Sequence, residues 1–187
     1  MKFSFFLFFL LFISNNLIAK EIWKLDKNLS TIEFELPVLF ANNVKGFFKE
    51  INGLVEIDIE NKRNNKAIFS VDLKSIEMNY AKYRALLLGE VFFNTIEFPI
   101  ALVDTRKFSY ENQKKINFDV ELSIKGINNK VPIEIEIFHL AEELVQIKAK
   151  LLFSRTSFKI GTGKWSSTSI LKDKASIKTN LFLFKEI

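Results

Sequence analysis

Every second residue from position 116 to 124 is large and apolar, and the residues between them are polar. The apolar positions are Ile116, Phe118, Val120, Leu122 and Ile124, and the polar ones are Asn117, Asp119, Glu121 and Ser123. Because side chains alternate between the two faces of a β-strand, this period predicts a strand with one dry face and one wet face. The pattern recurs along the chain and predicts an antiparallel sheet folded around an apolar interior.

Eight runs of alternating residues are separated by turn-forming segments, with a hairpin turn expected at 126–130. Residues 79–88 differ, because their apolar spacing is closer to that of a helix and Gly89 is a suitable C-cap. Regularly spaced strands in a chain of this size predict an all-β sandwich or barrel of about eight strands with one short helical insert. The eight runs are 30–38, 54–60, 67–74, 100–106, 116–125, 131–137, 145–153 and 174–184.

The first 19 residues have the composition of a secretory signal peptide. Lys2 supplies a minimal positive region, an apolar run follows, and cleavage is expected after Ala19. The run is shorter than the roughly 20 residues of a membrane-spanning helix. We therefore predict a signal peptide over 1–19, one domain over 20–187 and no stable membrane insertion after cleavage. An uncleaved N-terminal anchor is the alternative, since Leu17 is large for its place in a cleavage site.

The chain has no cysteine and a formal net charge of +5. An exported chain without disulfides must rely on packing for its stability. The absence of cysteine also excludes thiol catalysis and a lipidated N-terminal cysteine. Lysine, aspartate and glutamate are interspersed, whereas a nucleic-acid-binding surface would cluster its basic residues, so no nucleic-acid partner is expected. These features suit a soluble protein of the periplasm or, as a second choice, one released outside the cell.

The sequence carries no constellation typical of an enzyme. A Ser-His-acid triad would have to use His139, the only histidine, and the chain has no Gly-x-Ser-x-Gly elbow. No carboxylate cluster suggests a metal site, and no Gly-rich loop suggests a phosphate site. We predict a non-enzymatic protein without a cofactor. A lipid hydrolase or isomerase that uses His139 as its base is a third hypothesis.

Six short motifs follow one another along the chain. They are Trp23-Lys24-Leu25-Asp26 with Ser30-Thr31-Ile32-Glu33-Phe34; Val44, Gly46, Phe48 and Gly53; Ser75-Ile76; Phe92-Phe93 with Phe98-Pro99; Leu122-Ser123-Ile124-Lys125-Gly126-Ile127; and Ser154-Arg155-Thr156-Ser157-Phe158-Lys159-Ile160-Gly161. In this order they resemble the YceI-like family of polyisoprenoid-binding periplasmic proteins. The resemblance implies a lipocalin-like antiparallel β-barrel whose interior holds a long isoprenoid chain.

A small barrel either fills its interior with side chains or holds one small ligand, and the strand period does not decide between them. The family resemblance favours a cavity, and hence a periplasmic binding or carrier protein for an isoprenoid or similar long-chain lipid. The alternative is an exported structural or interaction domain with a filled core and no ligand. The residues expected to contact the lipid are Phe34, Leu36, Phe40, Phe48, Phe69, Val71, Leu87, Phe92, Phe93, Phe118, Val120, Ile135 and Phe153.

Four cationic residues are candidates for binding a polar head group. Arg84 and Arg155 could do so through the guanidinium fork, with a fixed ion pair or backbone contact as the alternative for Arg155. Lys45 and Lys82 are included because they lie near the expected opening. The pair Phe92-Phe93 is interpreted either as a gate beside the helix or as a packing anchor. A homodimer is a further partner that we consider.

Overall fold

The computed structural model describes residues 20–38, 43–78 and 81–186. The predicted signal peptide lies outside these residues. The strands are β1 (Lys20–Leu25), β2 (Thr31–Leu36), β3 (Val44–Phe48), β4 (Ile51–Asp58), β5 (Lys66–Asp72), β6 (Ile76–Met78), β7 (Ile100–Asp104), β8 (Lys115–Ile124), β9 (Ile127–Ala141), β10 (Leu144–Ser154) and β11 (Lys174–Lys185). The helix is α1 (Ala81–Leu88), and short 3-10 helices cover Leu73–Ser75, Thr156–Phe158 and Gly163–Trp165. No helix in the described part of the chain is long and apolar enough to span a membrane.

The eleven strands occupy eight positions around the barrel, which we call staves. Three of the staves consist of two strands each, and the other five consist of one. β1 and β2 both pair with β11 and make the first stave. The second stave consists of β4, which pairs with β1, and β3, which pairs with β2. The third consists of β5, which pairs with β4, and β6, which pairs with β3. The remaining strands are single staves, and every neighbouring pair is antiparallel.

The staves pair in chain order, and the pairing of the first with the last closes the sheet into an up-and-down barrel. Each of the eight predicted runs falls on a separate stave. The prediction of an all-β, eight-stranded antiparallel barrel with one short helix is therefore confirmed.

The alternating residues of β8 lie on the faces that their period predicts. Val120 and Leu122 are each 1% exposed, whereas Asn117 and Asp119 are exposed. β8 pairs with β9 along its whole length, with Val120 opposite Val131. A slip of one residue in this register would turn the apolar set toward solvent, so burial of the inner face fixes the register.

The turn between β8 and β9 is shorter than predicted. Lys125 (φ 54°) and Gly126 (φ 71°) are its only two residues, because Ile124 pairs directly with Ile127. Positive φ at both central positions is typical of a type I′ turn, whose twist matches that of the strands. The prediction of a turn over 126–130 is wrong in extent, since β9 already begins at Ile127. The Lys125 Nζ donates to the backbone oxygens of Glu90 (2.7 Å) and Lys159 (3.1 Å), which ties the turn to neighbouring loops.

Arg155 organises the segment 155–173, which covers the same end of the barrel as α1. Its side chain is fully buried, and burial lowers its pKa while the charge of Asp173 opposes that shift. It donates to five carbonyl oxygens: Lys172 (3.0 Å), Ile160 (2.8 Å), Gly161 (3.3 Å), Ser167 (3.2 Å) and Leu171 (2.8 Å). The guanidinium therefore acts through backbone contacts, the second of the two roles considered for it.

Replacing Arg155 by methionine removes the donors that these buried carbonyls share. Since each unsatisfied buried polar group costs about 1–3 kcal/mol, we expect Arg155→Met to lower the free energy of unfolding by at least about 3 kcal/mol. The same change at Arg63, an exposed arginine, should cost less than about 0.5 kcal/mol. Urea denaturation followed by circular dichroism measures both. Equal losses in the two variants would contradict this role of Arg155.

Candidate ligand-binding cavity

The interior of the barrel is not filled by side chains. It holds a cavity of about 250 Å³. Inward-facing residues of all eight staves contribute to its wall. This volume lies just below the range of roughly 300–1,000 Å³ that is typical of small-molecule pockets. The barrel is therefore of the kind that leaves room for a single narrow ligand.

Most of the residues expected to contact a lipid lie together on this wall. They are Phe34, Leu36, Phe48, Phe69, Val71, Leu87, Phe93, Phe118, Val120, Ile135 and Phe153. Phe40 lies outside the described residues. Phe92 is buried but is not on the wall, because its ring packs edge-on against Trp165 with centroids 5.8 Å apart. Contact between the wall residues and a lipid stays a prediction.

The cavity wall formed by β8 and β9 is more exposed toward the end of the barrel opposite α1, which we call the open end. On β8, Val120 and Leu122 are almost completely buried, whereas Ile116, farther from α1, is half-buried. β9 follows the same gradient, from buried Ile133 to exposed His139. The interpretation of Phe92-Phe93 as a gate beside the helix does not fit this arrangement, since both rings are buried at the covered end.

The cavity is long enough for an extended hydrocarbon chain. The inward residues of β10 run from Val145 to Phe153. Eight residue steps at about 3.3 Å each cover roughly 26 Å along the strand. A typical strand tilt of about 40° converts this to roughly 20 Å along the barrel axis. One leaflet of a bilayer has about 15 Å of hydrocarbon, so a single lipid chain can lie along the cavity.

Two glycines let aromatic rings lie flat against the wall. Gly46 is opposite Phe34 in the β2–β3 pair, and Gly53 is opposite Phe69 in the β4–β5 pair. A Cβ atom on Gly46 would lie 2.5 Å from a ring carbon of Phe34, and one on Gly53 would lie 2.2 Å from a ring carbon of Phe69. Because Gly46 and Gly53 have no side chains, both rings can lie against the wall, and the centre of the barrel stays open.

Gly53→Ala is expected to push the Phe69 ring into the cavity and to lower the free energy of unfolding by about 1–3 kcal/mol, a typical cost of overpacking. The double variant Gly53→Ala/Phe69→Leu should recover most of this loss, because leucine leaves space for the new methyl group. Gly89→Ala is the control, since its nearest neighbouring atom would lie at 3.4 Å. Urea denaturation of the unmodified protein, these three variants and Phe69→Leu alone is the measurement, and strictly additive effects of Gly53→Ala and Phe69→Leu would contradict the ring contact.

Two threonines on the wall are already hydrogen bonded to the barrel. The Thr105 hydroxyl accepts from the Ala67 N–H (2.8 Å) and lies 3.2 Å from the Ala67 oxygen. The Thr179 hydroxyl accepts from the Ala149 N–H at 3.1 Å. Among the described residues, no buried side-chain nitrogen or oxygen lacks a partner. The middle of the cavity therefore offers apolar contact rather than polar recognition.

The four cations proposed for a head group do not form one site. Arg84 donates to the backbone oxygens of Ile76 (2.8 Å) and Lys74 (2.6 Å), which ties α1 to β6. Lys45 forms an exposed ion pair with Glu35 and does not line the cavity. The exposed Lys82 does not line it either, and nor does Arg84. Arg155 reaches the wall but is held by the five carbonyls. Lys45 and Lys82 were candidates because of an opening expected near them, and head-group binding by any of the four residues stays a prediction.

The polar residues at the open end were missed as a group. Glu21, Tyr110, Asn112 and His139 all line the cavity there. The Tyr110 hydroxyl lies 2.9 Å from His139 Nε2, and Glu21 forms a 2.6 Å ion pair with Lys185. Burial raises the pKa of Tyr110, so its hydroxyl stays protonated. The inward parity of His139 in its strand was the available signal, but nothing in the sequence placed Tyr110 beside it.

A closed eight-stave barrel with a narrow apolar cavity, open at one end, defines a class of small barrels able to enclose one apolar ligand. The model of the YceI-like domain matches residues 23–183, and the chain belongs to this family. Protein YceI of Salmonella newport and Protein YceI of Salmonella arizonae are each 24% identical to this chain over 130 residues. These alignments cover 68% of this chain and 67% of each relative.

Three solved structures share the fold. BcnA of Burkholderia cenocepacia superposes with a TM-score of 0.76 at 23% identity, over 84% of this chain and 98% of that one. A polyisoprenoid binding domain from Saccharophagus degradans, implicated in plant cell wall breakdown, gives 0.70 at 14% identity, over 88% and 98%. The Campylobacter jejuni YCEI protein gives 0.67 at 21% identity, over 81% and 90%. At these identities the likeness establishes the fold.

Proposed function

We propose that this protein binds one isoprenoid or similar long-chain lipid in its barrel cavity and stores or carries it in the periplasm. The cavity itself carries this proposal, because its wall is apolar along most of its length and every buried polar side-chain atom among the described residues has a hydrogen-bond partner. The Saccharophagus degradans domain, described as polyisoprenoid binding, supports the same class of ligand.

Burial of the chain supplies the affinity in this proposal. Each methylene group transferred from water to an apolar site contributes about 0.8 kcal/mol, so a long chain needs no specific polar contact to bind tightly. Association costs several kcal/mol in lost freedom, which a long chain can offset and a short one cannot. Affinity should therefore rise with chain length until the chain fills the cavity.

Export and the absence of catalysis belong to the same proposal. The composition of residues 1–19 supports a cleaved signal peptide and a periplasmic location. The protein would sequester its lipid without a chemical step, and the side chain near His139 Nε2 is the phenol of Tyr110. The open interior favours a ligand-binding protein over an exported domain with a filled core. A homodimer stays a prediction.

Filling the middle of the cavity should weaken lipid binding. Ala149 lies on the wall halfway along β10, whereas its neighbour Lys150 is exposed on the outer face. We expect Ala149→Trp to weaken the binding of phytanol, an isoprenoid alcohol, by at least about tenfold, because the indole occupies the space of the chain. Lys150→Trp is the matched control and should bind like the unmodified protein. Equilibrium dialysis measures both dissociation constants.

Thermal unfolding of the two variants accompanies the binding measurement. Both should remain folded with a cooperative transition, because one tryptophan enters an existing void and the other faces solvent. If folded Ala149→Trp binds phytanol as tightly as Lys150→Trp, the lipid does not occupy the cavity and the proposal is wrong.

A further inference from the structure

Hydrogen bonds and ring stacking hold the loop at the open end of the cavity in place. The loop 105–114 lies across it and is anchored by Asn65, a fully buried side chain whose amide donates to the backbone oxygens of Lys62 (2.7 Å) and Phe108 (3.3 Å). The Phe108 ring stacks on Phe118 of β8, with centroids 5.3 Å apart. These contacts place Tyr110 over the cavity beside the end of β9.

Tyr110 and His139 have hydrogen-bonding capacity beyond their mutual contact. A phenol has one donor and two acceptor positions, and an imidazole has a second ring nitrogen. The contact of 2.9 Å between the Tyr110 hydroxyl and His139 Nε2 uses one position on each. The amide of Asn112 on the same rim adds both a donor and an acceptor. A polar group at the end of a buried chain would therefore meet partners of both kinds.

The charges at this rim do not favour an anion. Arg155 is the one lysine or arginine among the described residues that line the cavity, and five carbonyls hold it at the covered end. Lys185 forms a 2.6 Å ion pair with Glu21, the acidic residue that lines the cavity at this end. Its pKa is raised first by the hydrogen bond to Glu21 and further by the nearby charges of Glu142 and Glu143. An anionic head group would have to displace Glu21 and approach two other carboxylates.

We propose that the rim formed by Tyr110, Asn112 and His139 binds the polar end of an uncharged lipid, such as an alcohol or a carbonyl compound, and that Glu21 discriminates against anionic lipids by neutralising Lys185. This inference rests on the proposed function, because the chain of the lipid must occupy the cavity for its polar end to reach the rim. It assigns the selectivity to side chains at the open end, away from α1.

Three probes that share one saturated isoprenoid chain test the inference: phytanol, phytanyl phosphate and phytane. Equilibrium dialysis at about pH 8 gives their dissociation constants. Phytanol should bind at least about tenfold more tightly than phytanyl phosphate, because the phosphate would lie beside Glu21, and no lysine or arginine among the described residues lines the cavity at this end. Phytane should bind through its chain alone and more weakly than phytanol.

Tyr110→Phe removes only the phenol oxygen. It should weaken phytanol binding about three- to tenfold, the value of one hydrogen bond, and leave phytane binding unchanged. Tyr83→Phe, which removes a hydroxyl from α1 at the opposite end, is the matched control and should change neither constant. An equal loss for phytanol and phytane in Tyr110→Phe would mean that Tyr110 only supports the fold, and would overturn its role in head-group binding.

Glu21→Gln should strengthen phytanyl phosphate binding by at least about threefold, because it releases Lys185 to meet the phosphate. Glu56→Gln removes the same charge from the outer face of β4, where Glu56 pairs with Lys20, and should have no such effect. If phytane binds but phytanyl phosphate equals phytanol in the unmodified protein, this inference is wrong and the proposed function stands. If none of the probes binds, both are wrong.

Discussion

The pairing of the first stave with the last is the constraint on which the rest of the structure depends. β1 and β2 lie along one edge of β11 and close eight staves into a ring. Closure removes the free edges of the sheet and fixes the width of the interior. At this strand number the side chains nearly fill the barrel, so a few small residues decide whether space remains. Gly46, Gly53 and Ala149 face that interior where larger side chains would close it.

The two ends of the barrel have opposite properties. At one end Arg155 donates hydrogen bonds to five carbonyl oxygens of the segment 155–173. Lys125 links the β8–β9 turn to two neighbouring segments at the same end. At the other end Tyr110 and His139 leave hydrogen-bonding groups at an opening into the same apolar cavity. A molecule with a long apolar chain and one polar end matches this gradient in a single orientation, with its chain toward α1.

The sequence predicts the staves and the residues on the wall because both follow from a period of two, as at 116–124. The alternating pattern does not reveal β1, because the polar Glu21 lies on its inner face and the apolar Ile22 comes next in the chain. It does not reveal β3, because Gly46 interrupts the apolar face of that strand. The rim was also missed, because Tyr110 reaches it through a loop that long-range backbone contacts hold in place. Alternation reports burial and carries no information on whether the buried faces meet across a void.

A native mass spectrum of the protein purified from its native host tests the central claim, that the cavity holds one lipid chain. The account predicts a species heavier than the unliganded protein by the mass of a single lipid. Extraction with organic solvent should convert this species to the unliganded mass and release a long-chain isoprenoid or related lipid. A spectrum that contains only the unliganded mass, with nothing released by the solvent, would contradict the account.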